Sequence, residues 1–237
     1  MKEVLALIQK RKQEFAELPL FDYLQDKSID PRQRLAFAPC LVPLATGFSD
    51  LCKYGFREEP TTNTIQAIIN LHSYEEQDHW HWLMEDLQKL DLDKSLKFTD
   101  TLKFMWGEET KKTRQVCPKI ERSILISDPL QKLIGVLVSE VTGNVFFSNT
   151  EQVVKQLQGI GKKQYRFFGN HHLTQENNHN INRRNVVEFF AQIEITDEQR
   201  QVYFALVDEL FEAYAESMDE LLVYAKTHKV EQPLAAV

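Results

Sequence analysis

The chain has 237 residues, of which 43% are hydrophobic and 27% charged, and it carries a formal net charge of −7. That length can bury a sizeable core in one domain and the composition is ordinary for a globular protein, while the acidic balance removes the electrostatic reason to expect a nucleic-acid partner. The apolar run in the first ten residues is too short and too charged for a signal peptide, and no stretch approaches the roughly 20 apolar residues of a membrane span, so a cytoplasmic chain without a membrane partner is expected.

With only 8 Gly and 8 Pro, turns are sparse, which favours long helices over many short strands. The first helix is expected from about Lys2 to Glu17, ending near Pro19. A second enters at Asp30-Pro31 and runs to about Tyr54. Pro60-Thr61-Thr62 opens a third, continuing to about Leu90, and a short helix covers Phe98 to Trp106. Asp128-Pro129 starts a fifth, through Phe147, and Gly159-Ile160-Gly161 reads as a turn. A sixth spans roughly Lys163 to Ile193. Thr196, followed by Asp197 and Glu198, opens the last, which reaches about His228. No segment reads as a strand. The expectation is a single all-α domain over residues 1–237. Cys40, Cys52 and Cys117 share no metal-type spacing and read as thiols in a reducing compartment.

The chemistry gathers in three places. His172, Glu176 and His179 stand at i, i+4 and i+7, within roughly 60° of one another on one helical face. Two imidazoles and a carboxylate in register suit a first-row metal; the plainer alternative is a solvated polar face. In the third helix His72, His79 and Asp86 are seven residues apart, so each step drifts only about 20° around the helix. Ile65 continues their line, so part of it belongs to the core, where polar groups need a partner. An exposed charged face is the alternative. Glu140 follows Leu133 and Leu137 on one face of an otherwise apolar helix, where a carboxylate should be paired, protonated or bound to a metal. Beside two ligand-rich helices it reads as a bridging carboxylate.

The ligand set is therefore His79, Asp86, Glu140, His172, Glu176 and His179. Three imidazoles and three carboxylates without a thiolate suit iron or manganese better than structural zinc, and six ligands suit two ions. Two Glu-x-x-His motifs, at 76–79 and 176–179, also fit ferritin-like carboxylate proteins. That pattern needs a further Glu in the segment from Pro31 to Tyr54, which contains none, and it leaves His172 unused.

The motif His172-x-x-x-Glu176-x-x-His179, with Glu140 about thirty residues upstream, more closely resembles the haem-oxygenase-like diiron oxidases. That family usually carries a Glu and then a His on an earlier helix; here His79 precedes Asp86, and His72 or Glu76 are alternatives to Asp86. The resemblance implies a bundle of about seven helices, often a homodimer, holding two Fe(II) per chain with O2 as co-substrate. It implies oxidation of a small amino acid or amine. The His-first order looks like the branch that turns a brominated tryptophan side chain into a nitrile in natural-product biosynthesis. Arg183, one turn beyond His179, is a candidate for binding a substrate carboxylate, with a surface salt bridge as the plainer reading. The alternatives to an oxidase are a ferroxidase and a metal-free ligand-binding module.

Overall fold

The computed structural model describes residues 1–125, 128–161 and 163–230, without the side chains of 160, 161, 176 and 177. In chain order the α-helices are α1 (Lys2–Ala16), α2 (Pro19–Gln25), α3 (Pro31–Arg34), α4 (Val42–Asp50), α5 (Thr64–Glu76), α6 (Trp80–Lys89), α7 (Phe98–Met105), α8 (Lys111–Ile124), α9 (Pro129–Gly161), α10 (Asn170–Asn178), α11 (Arg184–Gln192) and α12 (Asp197–Thr227). Among the described residues there is no strand, and the all-α expectation holds.

The long helix α9 is the axis of the fold. Leu133, Ile134, Val136, Leu137 and Val138 are all buried, so this helix is apolar around most of its circumference, as a helix packed on every side must be. It packs against α1, α2, α5, α10 and α12. Its length and that of the segment Pro31–Phe56 would suffice to cross a membrane, but both segments are mostly buried inside the fold. Asp128 opens α9 as expected, its Oδ1 accepting the Gln131 N–H at 2.9 Å. The start of α12 also follows the sequence: Thr196 and Gln199 form a reciprocal capping box. The three cysteines are buried thiols.

The structure corrects the helix map in six places. Helix α2, which starts at the proline expected only to end the first helix, was not expected. The segment from Pro31 to Tyr54 is not one helix but α3, a 3-10 turn at Ala38–Leu41, α4 and a π-helical turn at Leu51–Phe56. The expected helix up to Leu90 breaks after Glu76 and resumes at Trp80. Helix α8, with a proline inside it, was not expected. Helix α9 continues through the glycines expected to turn it, since a glycine weakens a helix by only about 1 kcal/mol and does not end it. The expected helix from Lys163 to Ile193 is divided into a loop, α10, a 3-10 turn and α11. At the end of that loop a Cβ on Gly169 would collide with the Tyr165 carbonyl oxygen, so the chain can turn this tightly only with glycine there.

Candidate metal centre

Four helices deliver six ligand-type side chains to one buried place. Helix α5 presents His72 and Glu76, four residues apart and therefore on one face. His79 stands immediately before α6, Glu140 in the middle of α9, and His172 in the first turn of α10. His179 follows the last residue of α10. All six are buried.

Their geometry forms two groups that share a carboxylate. In one, His72, Glu76, Glu140 and His179 each offer a ligand atom, all within 4.8 Å of one another; in the other, Glu76, His79 and His172 do the same. Glu76 places Oε2 3.1 Å from His79 Nδ1 and Oε1 3.1 Å from His179 Nε2. Glu140 Oε1 lies 3.0 Å from His179 Nδ1 and 3.5 Å from His72 Nε2. The other Glu140 oxygen accepts the Asn182 side-chain amide at 2.6 Å.

The break between α5 and α6 makes this possible. The His81 N–H bonds to Asp78 instead of Gln77, so the Gln77 carbonyl loses its helical partner. The Ser49 hydroxyl donates to that carbonyl at 2.6 Å. Arg57 donates to the Gln77 side chain at 2.8 Å and to the Ser73 hydroxyl at 2.9 Å. The kink leaves Glu76 and His79, three residues apart, pointing at the same spot.

Of the residues singled out by sequence, His79, Glu140, His172 and His179 come together. His72 and Glu76, weighed as alternatives to Asp86, join them, and the shared carboxylate is Glu76, not Glu140. Asp86 does not join them. It is fully buried, but its carboxylate accepts the backbone N–H groups of Arg166, Phe167 and Phe168 at 2.9, 2.8 and 3.1 Å. The seven-residue spacing assumed an unbroken helix, and the break at 77–79 removes that premise. Burial pushes the Asp86 carboxyl up, with the backbone donors and Lys89 pulling the other way. Glu176 lies on α10, but its side chain is outside the described residues. Arg183 is exposed at the start of α11 and does not line the cavity beside the cluster, because the helical face it was expected to extend ends at Asn178.

The electrostatics are those of buried carboxylates in want of cations. Burial alone would raise Glu76, but His79, His179 and His72 outweigh it and hold the carboxyl well below its usual range. Burial opposes a charge on His179, yet Glu140 and Glu76 push it up to about 9. His172 is held well below its ordinary value, first by burial and then by His79. A divalent cation could meet the two carboxylates in place of these imidazole contacts.

Several buried atoms also lack hydrogen bonds. His72 Nδ1 has no hydrogen-bond partner among the described residues, and His72 Nε2, His79 Nδ1 and Glu76 Oε1 meet their ion-pair partners without hydrogen-bond geometry. Leaving such atoms unsatisfied is costly, and a metal ion would satisfy them. The donor set, four imidazoles and two carboxylates with no thiolate, fits iron or manganese better than structural zinc. The buried His and Glu side chains could therefore hold a metal ion.

No family model matches this sequence, and no curated protein is significantly similar to it.

A narrow cavity of about 110 Å³, open to solvent, borders the cluster. Glu76, His79, Glu140 and His172 line it, whereas His72 and His179 lie behind them. The facing walls are aromatic and apolar, with Phe48, Trp80, Phe146, Phe147, Phe167 and Met218 among them. Its hydroxyls are engaged: Ser139 and Thr142 donate to the carbonyls of Gly135 and Val138, and Tyr214 donates to Ser139 Oγ. Among the described residues no lysine or arginine lines it. These cavity residues were not singled out from the sequence, because aromatic and aliphatic side chains at helical spacing look the same whether they line a core or a pocket.

Proposed function

We propose that this chain is a non-haem diiron oxidase of haem-oxygenase-like architecture, acting with O2 on a small amino acid or amine. The observation that carries the proposal is the pair of buried ligand groups joined through Glu76. One ion would be held by His72, Glu140 and His179, the other by His79 and His172, with Glu76 between them. Bound Fe(II) would supply the O2 chemistry that no side chain can. The protein's part is to hold the ions, exclude water and orient the substrate.

The cavity supports a substrate with an aromatic or apolar body. Among the described residues it has no lysine or arginine, so the polar end of an amino acid would have to face the ions themselves. Tryptophan, with a brominated ring and a nitrile as product, is the first substrate to try. The apolar cavity also favours an oxidase over a ferroxidase, which needs no organic pocket.

The test is anaerobic reconstitution with Fe(II), followed by O2 exposure with a panel of aromatic amino acids and amines. The expected result is close to two irons per chain, O2 consumption that depends on one member of the panel, and a mass change in that compound. Failure to retain iron would remove the proposal. Iron uptake with O2 consumption indifferent to every organic compound would replace it with the ferroxidase reading.

A further inference from the structure

The carboxylate of Asp86 lies outside the cluster, yet it is tied to it by a short chain of contacts. Residues 163–169, between α9 and α10, make no regular helical bonds of their own, so their N–H groups need acceptors elsewhere. Three successive amides, those of Arg166, Phe167 and Phe168, converge on Asp86. Consecutive amides wrapped around one carboxylate form an anion-binding nest. Lys89 Nζ adds a contact 3.3 Å from Asp86 Oδ1.

The carbonyl of Phe167, the central residue of that nest, lies 3.0 Å from His172 Nδ1. A carbonyl can only accept, so Nδ1 of the neutral imidazole carries the proton and donates it. The lone pair is left on Nε2, the nitrogen then able to ligate. The His172 backbone N–H donates to the Arg166 carbonyl at 3.2 Å, and the Phe167 ring packs against the imidazole with 4.9 Å between centroids.

We infer that Asp86 is a positioning residue: by gripping the 166–168 loop it sets the tautomer and direction of His172. This rests on the reading of His172 as a metal ligand. It gives Asp86 a role different from the direct ligation its spacing suggested, since Asp86 acts on the ion only through the loop and the imidazole.

The test uses the full chain and two readouts. The first is made without metal: long-range proton–nitrogen correlation spectra of histidine-labelled protein report which ring nitrogen of His172 carries hydrogen. The wild-type protein should show the Nδ1–H form alone. Asp86→Asn, which keeps the size but loses the charge and one acceptor, should show a mixture or the Nε2–H form. The second readout is Fe(II) affinity at the two positions. Asp86→Asn should weaken one ion by about 10- to 100-fold, the usual effect of losing an outer partner of a ligand, and spare the other. If Asp86→Asn does not fold, Gly169→Ala decides the matter. It disturbs the same loop through the Tyr165 carbonyl while leaving Asp86 in place, and it should produce the same two changes. An unchanged His172 tautomer with both ions bound as in wild type, in whichever of the two variants folds, would overturn the inference. If the wild-type protein binds no iron, the metal reading fails, and the metal-free tautomer comparison still decides whether Asp86 sets His172.

Discussion

Glu76 occupies a position that no other cluster residue shares, because both ligand groups draw on its carboxylate. Replacing it should therefore be felt at both ions, whereas replacing His72 should be felt at one. Glu76→Ala is expected to retain well under one iron per chain, and His72→Ala to retain about one, as read by metal analysis after anaerobic loading and desalting. Equal losses from the two variants would argue against a shared carboxylate. The sequence made much of this set legible: ligand-type residues at i, i+4 and i+7 marked the His172 to His179 segment, and Glu140 stood out as a carboxylate in an apolar helix. Asp86 shows where such reading stops. Its burial could be inferred from the core line it follows, and a buried carboxylate must have partners. Whether those partners are a metal or three amides about eighty residues away is a tertiary fact, and local spacing cannot distinguish them.

At the level of helices, the irregular places matter most. Residues 64–89 contain no Gly or Pro, so nothing local announces the break after Glu76. The cause is distant: Ser49, near the end of α4, supplies the hydroxyl that satisfies the freed Gln77 carbonyl, and Arg57 braces the turn from beyond the π-helical segment. Ser49→Ala would leave that half-buried carbonyl without its side-chain donor and should cost about 1 kcal/mol of stability. It should also weaken iron binding on the His79 side, because the break is what turns His79 toward Glu76. Denaturant unfolding of the metal-free variant and iron titration measure the two effects separately. Wild-type stability together with wild-type affinity would show that the turn holds without Ser49. The omission of α8 has a different origin. Thr113, Val116, Cys117, Ile120 and Ile124 are buried at helical spacing, but Pro118 in their midst reads as a breaker. Packing against α12 and α4 overrides that local signal.

Taken as a whole molecule, the protein encloses two carboxylates and four imidazoles at the junction of α5, α6, α9 and α10, where an apolar core would ordinarily be more stable. Without metal, the carboxylates face only imidazoles, and several polar atoms of the cluster lack hydrogen-bond geometry among the described residues. Ions that bind the folded chain and not the unfolded one must then raise its stability by mass action. One ion at a hundred times its dissociation constant contributes about 2.7 kcal/mol. For a chain of this size each kcal/mol moves the thermal midpoint by roughly 2–4 °C, so a shift of roughly 5–11 °C is expected per saturated site. Anaerobic melting curves at increasing Fe(II) would measure it, and a chelator should reverse it before O2 is admitted. Glu76→Ala is the control: its midpoint should depend far less on iron, because both groups are incomplete. A wild-type midpoint independent of Fe(II) would mean that the contacts between imidazoles and carboxylates already satisfy the cluster. The buried polar centre would then belong to the fold alone.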